Sequence, residues 1–293
     1  MILSELYSLL KTSLAAQFPD ANERGIVSRR VAGHIAGVEP GDVMLRPDFR
    51  VEADKTAIDG IISRITHNEP IEYIFNSAQF LDLELCTNSN VLIPRPETEE
   101  LAIMILDDLR SVNESRGGAG ELSLLDIGTG SGCIPVYLSS KFPNCNYHAC
   151  DISAQAIETA RSNAGRYGCN INFINADILD WRNNAELDSL RLDVVVSNPP
   201  YVLESEKKLM QPNVLDYEPS GALFVDDCDP LIFYRAICDY ANKHLNPGGR
   251  LYFEINERYG METAVLMEEF GFEAVDIKND LFGKDRFVFG RIK

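Results

Sequence analysis

An alternation of short apolar segments with helical stretches, beginning after residue 120, constrains the fold of this chain more than any other feature. The strand candidates are 122–127, 146–152, 171–176, 192–198 and 250–255, and the helix candidates are 133–141, 153–167, 230–245 and 259–270. Strands that are apolar on both faces and joined by helices predict a doubly wound parallel sheet in an α/β domain. The tail adds two strand candidates, 273–278 and 285–291, which could pair antiparallel at the sheet edge.

The residues before this region follow a different pattern. Leucines and isoleucines at helical spacing predict a small helical bundle. The alternating segment 80–85 and the apolar segment 90–93 predict a short β-hairpin. A helix then begins near Pro96, because proline suits the first helical turn and the glutamates after it suit the positive end of the helix dipole. We therefore predict a helical domain over 1–79, a β-hairpin linker over 80–94 and a second domain over 95–293.

Charge and composition restrict the class of protein. The 293 residues carry a formal net charge of −18, whereas proteins that bind nucleic acids usually present a basic face to the phosphates. No apolar run approaches the ~18 residues of a membrane helix, and the N-terminus does not resemble a signal peptide. The seven cysteines form no C-x-x-C pair and the four histidines no metal-ligand pattern. We expect a cytoplasmic protein with reduced cysteines, no membrane span and no metal.

A glycine-rich loop, "DIGTGSG" (126–132), follows the first strand of the predicted sheet and precedes a helix. Such a loop lies at the carboxyl edge of the sheet, where ligands bind, and its glycines let a ligand approach the backbone closely. A dinucleotide fingerprint would place its third glycine at position 133, where this chain has Cys133. The D-x-G-x-G-x-G pattern is instead the one seen with S-adenosylmethionine.

Two acidic residues end the next strands. Asp151 is placed to accept hydrogen bonds from ribose hydroxyls, although it could instead cap a helix. Asp177 is placed to accept from an adenine amino group, with Ile178 packed on the ring, although it could instead be a turn residue. The predicted cofactor-binding residues are Asp126, Ile127, Gly128, Thr129, Gly130, Asp151, Asp177, Ile178 and Asn198.

The segment "NPPY" (198–201) follows the fourth strand. A planar amide or amino nitrogen is a poor nucleophile, and an enzyme that methylates it can orient it with two hydrogen-bond acceptors. The side-chain oxygen of Asn198 and the carbonyl of Pro199 are the predicted acceptors. Pro199 and Pro200 fix the backbone and bring no competing N–H group, and Tyr201 forms an apolar wall. The alternative is a turn that simply ends the strand.

These segments, with "VLIPRPETEEL" (91–101) and "DYEPSGALFVDDCDPLIFYRAI" (216–237), resemble the HemK/PrmC family, the protein-(glutamine-N5) methyltransferases of peptide-chain release factors. The resemblance covers about residues 65–291. It implies a seven-stranded, Rossmann-like class I methyltransferase domain and an N-terminal domain that recognises the substrate. S-adenosylmethionine would become S-adenosylhomocysteine, and the acceptor would be the glutamine of the Gly-Gly-Gln motif, held by Asn198, Pro199, Pro200 and Tyr201. Asn198, Pro199 and Tyr201 are the expected catalytic residues.

Some alternatives stay open at this point. A ribosomal-protein glutamine methyltransferase would use the same chemistry on a different partner. An adenine-N6 or guanine-N2 nucleic-acid methyltransferase can share the Asn-Pro-Pro-Tyr segment, but the acidic charge disfavours it. A non-catalytic binding module would have no need of the glycine loop or Asp151. The chain also departs from the family at Asn76, where a glycine is frequent, and Asn tolerates the left-handed conformation expected there.

Overall fold

A computed structural model describes residues 1–117 and 121–293. The chain forms two compact units, of which the smaller comprises residues 1–77 and 212–217 and the larger comprises 78–211 and 218–293. The sequence prediction set the first boundary at residue 79 and treated each domain as one continuous segment. No helix in the described part of the chain is long and apolar enough to span a membrane.

The smaller unit is helical, as its leucine and isoleucine pattern predicts. Its first five helices are α1 (Leu3–Ser13), α2 (Ala21–Ala36), α3 (Asp42–Leu45), α4 (Lys55–Thr66) and α5 (Ile71–Phe75). Asp20 caps α2 by accepting hydrogen bonds from the amides of Asn22 and Glu23. The apolar faces of the helices share one core, in which Leu3, Leu6 and Leu10 are fully buried.

Asn76 occupies a position where a glycine is frequent in the family, and its backbone conformation explains why asparagine is accepted there. Asn76 ends α5 with a φ of 51°, in the left-handed region. Asparagine is among the few residues other than glycine that adopt this conformation routinely. The position therefore keeps the backbone geometry that a glycine would supply.

The β-hairpin differs from the prediction. Strands β1 (Ala78–Phe80) and β2 (Leu83–Leu85) pair antiparallel, and 90–93 joins no strand. Leu81 adopts a φ of 53°, so the chain reverses inside the predicted first strand. The Leu81 amide donates to a side-chain oxygen of Glu99 at 2.7 Å, which holds the turn. The expected pairing of 80–85 with 90–93 was wrong, because apolar alternation does not reveal a turn held by a distant carboxylate.

The remaining elements build the larger unit, apart from the short helix 212–215. The helices are α6 (Pro96–Ser115), α7 (Cys133–Lys141), α8 (Ala154–Arg166), α9 (Ala185–Ser189), α10 (Pro212–Leu215), α11 (Ser220–Leu223), α12 (Ile232–His244) and α13 (Gly260–Glu269). The strands are β3 (Leu122–Ile127), β4 (Cys145–Asp151), β5 (Ile171–Asn175), β6 (Leu192–Ser197), β7 (Val202–Leu203), β8 (Phe224–Val225), β9 (Leu245–Glu254), β10 (Glu273–Asn279) and β11 (Asp285–Arg291).

Seven of these strands form one sheet in the order β10-β11-β9-β6-β3-β4-β5. Five neighbouring strands are parallel, namely β9, β6, β3, β4 and β5. Beside β9, strands β11 and β10 add the predicted antiparallel edge. Apolar clusters cover both faces, which explains the continuously apolar strands. Because β3 and β6 are neighbours at the point where the strand order reverses, the glycine loop and the NPPY segment meet at one sheet edge.

Candidate active site

The first two glycines of the loop after β3 leave open space. Gly128 and Gly130 have φ values of 74° and 54°. Among the described residues, a Cβ atom at Gly130 would meet no atom within 4 Å, and one at Gly128 would meet only the Asn198 carbonyl oxygen, at 4.0 Å. The amides of Gly128 and Thr129 donate to the Cys150 carbonyl at 2.9 and 3.0 Å and hold the loop over the end of β4. The loop therefore forms a cradle that a ligand can enter.

The third glycine serves a different purpose. Gly132 begins α7 with a φ of 77°. A Cβ atom there would lie 3.0 Å from the Ala160 Cβ and 3.3 Å from its Cα. Gly132 therefore permits α7 and α8 to pack closely, while Gly128 and Gly130 leave room for a ligand.

Asp126 is a buried carboxylate beside this loop. It is 1 % exposed, and neither of its oxygens has a hydrogen bond of acceptable geometry within the described residues. Burial raises the pKa of Asp126 to about 7; the charge of Asp151 adds to the rise and the Thr129 hydroxyl opposes it. An unpaired buried carboxylate is costly unless a cation or donor reaches it. The site therefore fits a ligand with a positively charged group, such as the ammonium of S-adenosylmethionine.

Asp151 ends β4 and faces the loop. Its two carboxylate oxygens accept hydrogen bonds from the amides of Gly130 and Ser153, each at 2.9 Å. Ser153, not Asp151, caps the following helix by accepting from the Ala156 amide. Burial raises the pKa of Asp151, and these two amide hydrogen bonds oppose the rise. Each oxygen keeps acceptor capacity for a ligand hydroxyl, so Asp151 can hold both the loop and a ribose.

Asp177 and Ile178 are less clearly placed for a ligand. Asp177 caps a 3₁₀ turn over 178–183 by accepting from the Leu179 amide at 2.8 Å, the turn role weighed above. Ile178 is 8 % exposed and packs in the apolar cluster around Trp181. Ile152, which directly follows Asp151, was not among the predicted cofactor-binding residues, and it is 69 % exposed. Beside Asp151, Ile152 therefore has more apolar surface open to an adenine ring than Ile178 has.

Asn198 follows β6 and is held by its side-chain nitrogen. Its Nδ2 donates to the Thr98 hydroxyl at 3.1 Å, and that hydroxyl donates to Glu254 Oε2 at 2.7 Å. Within the described residues, the Asn198 side-chain oxygen and the Pro199 carbonyl accept no hydrogen bond. Both acceptors directly follow β6, and the Asn198 backbone carbonyl would lie 4.0 Å from a Cβ atom at Gly128 in the glycine loop.

Tyr201 is also held at its polar end. Its hydroxyl donates to Glu254 Oε1 at 3.0 Å, and its carbonyl accepts from Asn256 Nδ2 at 3.2 Å. The ring packs on the apolar cluster under the sheet. Burial and the neighbouring Glu254 raise the pKa of Tyr201 well above its usual value, so its hydroxyl stays a donor. The Tyr201 ring is therefore held in place, and its role as an apolar wall for a substrate stays a prediction.

Thr98 and Glu254 were not among the site residues predicted from the sequence. Glu254 is a charged residue that ends β9 directly after the apolar segment 251–253, and a charged residue at a strand end was also the signal that pointed to Asp151. Thr98 lies in the first turn of α6 and gave no signal apart from its place in the "IPRPETEEL" segment.

Arg95 has a structural partner in the larger unit. Its guanidinium contacts Glu218 Oε1 at 2.6 Å, and the same carboxylate accepts from the Ile93 amide at 3.2 Å. The Glu218 side chain is 1 % exposed. Arg95 therefore neutralises a buried carboxylate that anchors the chain just before α6.

Comparisons with known proteins identify the family of this chain. Residues 112–215 match the family model "Methyltransferase small domain". The chain is 41% identical over 249 residues to the release factor glutamine methyltransferase of Flavobacterium psychrophilum, covering 84% of each chain. It is 37% identical over 287 residues to the enzyme of the same name from Bacteroides thetaiotaomicron, covering 98% of this chain and 99% of that one.

A solved structure supports the fold alone. A methyltransferase from Pyrococcus furiosus is 20% identical with a TM-score of 0.50, over 78% of this chain and 96% of that one. The sequence likeness to the curated relatives is strong enough to settle the family. This chain belongs to the release factor glutamine methyltransferase family.

Proposed function

We propose that this protein transfers a methyl group from S-adenosylmethionine to the side-chain amide nitrogen (N5) of the glutamine in the Gly-Gly-Gln motif of peptide-chain release factors. The observation that carries the proposal is a pair of acceptors, Asn198 Oδ1 and the Pro199 carbonyl, which accept no hydrogen bond within the described residues and directly follow β6, the strand beside β3 and its glycine loop. A primary amide has two N–H groups to give to such a pair, and a carboxylate has none.

The residues around the glycine loop after β3 suit S-adenosylmethionine. Gly128 and Gly130 leave room for it, Asp126 would pair with its ammonium group, and Asp151 would accept from its ribose. When bound, S-adenosylmethionine supplies an electrophilic methyl group on a positively charged sulfur.

The protein's own groups act on the glutamine. Asn198 Oδ1 and the Pro199 carbonyl would each accept one amide hydrogen, which fixes the nitrogen and turns its lone pair out of the plane of the acceptors. Positive charge develops on that nitrogen as the new bond forms, and both hydrogen bonds strengthen with it. Tyr201 closes one side and excludes water. No general base is required, because the nitrogen becomes acidic only after transfer and can then release its proton to water.

The partner and the place of action follow from the same proposal. We expect the helical unit, residues 1–77 with 212–217, to contact the body of the release factor, and the protein to act in the cytoplasm. The net charge of −18 favours a protein substrate over a nucleic acid.

One incubation tests the function. The protein is mixed with S-adenosylmethionine and either a release factor or the same factor with its motif glutamine changed to alanine. Mass spectrometry should find one added methyl on the Gly-Gly-Gln peptide of the first factor and none on the second. Methylation of ribosomal protein or nucleic acid, with the release factor left unmodified, would refute the proposal.

A further inference from the structure

Three side chains from distant parts of the chain form one hydrogen-bonded series, in which Glu254 and Thr98 are buried and Asn198 is half-buried. Glu254 is 1 % exposed and Thr98 is 3 % exposed. The Thr98 hydroxyl donates to Glu254 Oε2 at 2.7 Å and accepts from Asn198 Nδ2 at 3.1 Å. Because buried polar groups are costly when unpaired, this series has a defined arrangement and does not rotate freely.

The direction of the series follows from its first member. A carboxylate only accepts hydrogen bonds, so the single proton of the Thr98 hydroxyl is directed to Glu254. The hydroxyl oxygen can then only accept, and the neighbouring amide must present its NH₂ group to it. A half-turn of the Asn198 amide would set its oxygen against the oxygen of Thr98 and lose the hydrogen bond. Burial raises the pKa of Glu254, while Thr98, Tyr201 and the charge of Arg286 oppose that rise.

We propose that Thr98 and Glu254 are positioning residues that fix the orientation of the Asn198 amide, so that its oxygen faces the substrate and the site selects an amide over a carboxylate. The proposal rests on the proposed function for the identity of that substrate. The series sets the chemistry of the pocket because an acceptor at this position attracts the N–H groups of glutamine and repels the oxygens of glutamate.

Glu254 also holds the other side of the pocket. Its second oxygen accepts from the Tyr201 hydroxyl at 3.0 Å. One buried carboxylate thus orients both the acceptor and the wall. Thr98→Val breaks only the branch to Asn198 and leaves the branch to Tyr201 intact, so it is the cleaner variant.

The kinetic test compares Thr98→Val with Thr98→Ser. Valine keeps the shape and loses the hydroxyl, and we expect kcat to fall about 10- to 100-fold, the worth of a hydrogen bond in a series that ends on a charge. Serine keeps the hydroxyl and should restore kcat to within about threefold of the parent. The KM for S-adenosylmethionine should change little in both variants.

Thr263→Val is the matched control. Thr263 is fully buried in α13, and its hydroxyl has no hydrogen-bond partner within the residues that the structure describes. Removing that hydroxyl changes a buried threonine in the same way without touching the site, so kcat should stay at the parent value. The melting temperature of both valine variants is measured as well. If kcat falls because the protein is less stably folded, the melting temperature falls with it.

The selectivity of the enzyme for glutamine over glutamate provides a second measurement. A purely structural role of Thr98 would leave this selectivity unchanged. A release factor with its motif glutamine changed to glutamate should inhibit the parent enzyme weakly. In Thr98→Val the Asn198 amide is free to turn its NH₂ group toward the substrate, so this glutamate factor should inhibit at least about tenfold more strongly. If Thr98→Val fails to fold, Glu254→Gln is tested in its place. The glutamine amide can donate to the Thr98 hydroxyl as well as accept from it, so it no longer fixes the direction of the hydrogen bonds from Thr98 to Asn198.

The orientation can also be observed without turnover. In protein labelled with ¹⁵N-asparagine, the side-chain amide signal of Asn198, assigned by its loss in Asn198→Ala, should shift in Thr98→Val and not in Thr98→Ser. A parent enzyme that leaves the release factor unmethylated would refute the proposed function, while this signal would still decide the orientation. Unchanged kcat, unchanged glutamate inhibition and an unchanged signal in a folded Thr98→Val protein would overturn the inference.

Discussion

At the scale of single residues, the candidate site combines a half-buried amide, Asn198, with a buried carboxylate, Asp126. Asn198 is paired through its nitrogen and offers its oxygen, so its geometry is set before any substrate arrives. Asp126 is buried with no hydrogen bond of acceptable geometry among the described residues, so its carboxylate is better satisfied when a cation binds. The first arrangement favours orientation of the substrate, and the second favours binding of the cofactor.

Replacing Asn198 with alanine removes one acceptor from the reacting amide. We expect kcat to fall roughly 10²–10³-fold, as for the loss of one group that stabilises a developing charge. Cofactor affinity, measured by calorimetry, should change less. Asn172→Ala is the control, since Asn172 is an exposed asparagine on β5 that bonds Glu186. Near-normal turnover in Asn198→Ala would remove Asn198 from its proposed role.

The raised pKa of Asp126 predicts opposite effects of pH on stability and on cofactor binding. Its pKa is 3.8 in an unperturbed chain and about 7 in the folded protein. Between these values the folded state keeps a proton that the unfolded state has lost, so the free energy of unfolding falls as the pH rises toward 7. A cationic ligand prefers the ionised form, so cofactor affinity should rise over the same interval and level off above it.

Calorimetry between pH 5.5 and 8 checks this prediction. The parent protein should bind S-adenosylmethionine more tightly as the pH rises, and Asp126→Asn should lack that part of the dependence. The ligand's own titration and the raised pKa of Asp151 are common to both proteins, so the difference between them reports Asp126. Identical pH profiles would show that Asp126 does not ionise on binding.

At the scale of elements, the loop between β3 and α7 combines two tasks in five residues, 128–132. Its first glycines leave room at the sheet edge, and its last one lets two helices approach each other. The spacing pattern revealed that a ligand loop was present. It did not distinguish these tasks, because the difference depends on Ala160 in a later helix.

Alanine substitutions at Gly130 and Gly132 should separate the two tasks. Both residues have positive φ, so each substitution costs about 1–2 kcal/mol of folding free energy. At Gly132 the new methyl also meets Ala160 at 3.0 Å, which should add about 1–3 kcal/mol of overpacking. Urea unfolding should therefore show Gly132→Ala to be the less stable protein.

Cofactor binding should reverse that order. The methyl of Gly130→Ala enters open space in the cradle and should weaken cofactor binding more than Gly132→Ala does. Each variant thus serves as the control for the other, with calorimetry as the measurement. Normal cofactor affinity in Gly130→Ala would mean that the open space is not where the ligand lies.

At the scale of the whole molecule, the chain divides its residues between a helical unit and a methyltransferase unit. The helical unit takes in 212–217, where the Tyr217 hydroxyl donates to the His67 carbonyl at 2.8 Å. If this unit recognises the release factor body, it should add affinity without taking part in the chemistry. Its contribution would then appear in KM and not in kcat.

Comparing two substrates tests that division in the intact enzyme. A short peptide with the Gly-Gly-Gln motif should be methylated with a kcat close to that of the whole factor. Its kcat/KM should be at least about tenfold lower, which corresponds to ~1.4 kcal/mol of lost binding. Equal kcat/KM values for peptide and factor would show that recognition is confined to the motif.

Local patterns in the sequence were enough to predict the α/β sheet and its helices and to name candidate site residues, although they misplaced the β-hairpin. Strand and helix periodicity, the glycine loop and the NPPY segment depend on residues that are neighbours along the chain. The seven-stranded sheet and its antiparallel edge were therefore predicted, and the structure confirms them. The acceptor groups of Asn198 and Pro199 could be named because proline geometry and amide chemistry are local properties.

Tertiary structure alone decided how those groups are held. Thr98 lies 100 positions from Asn198 and 156 from Glu254, so no local pattern could reveal their hydrogen bonds. The turn at Leu81 depends on Glu99, and the burial of Ile178 depends on the cluster around Trp181. Side chains distant in sequence meet only when the sheet and its helices pack. Those contacts determine which way an amide faces and which apolar side chains stay open to a ligand.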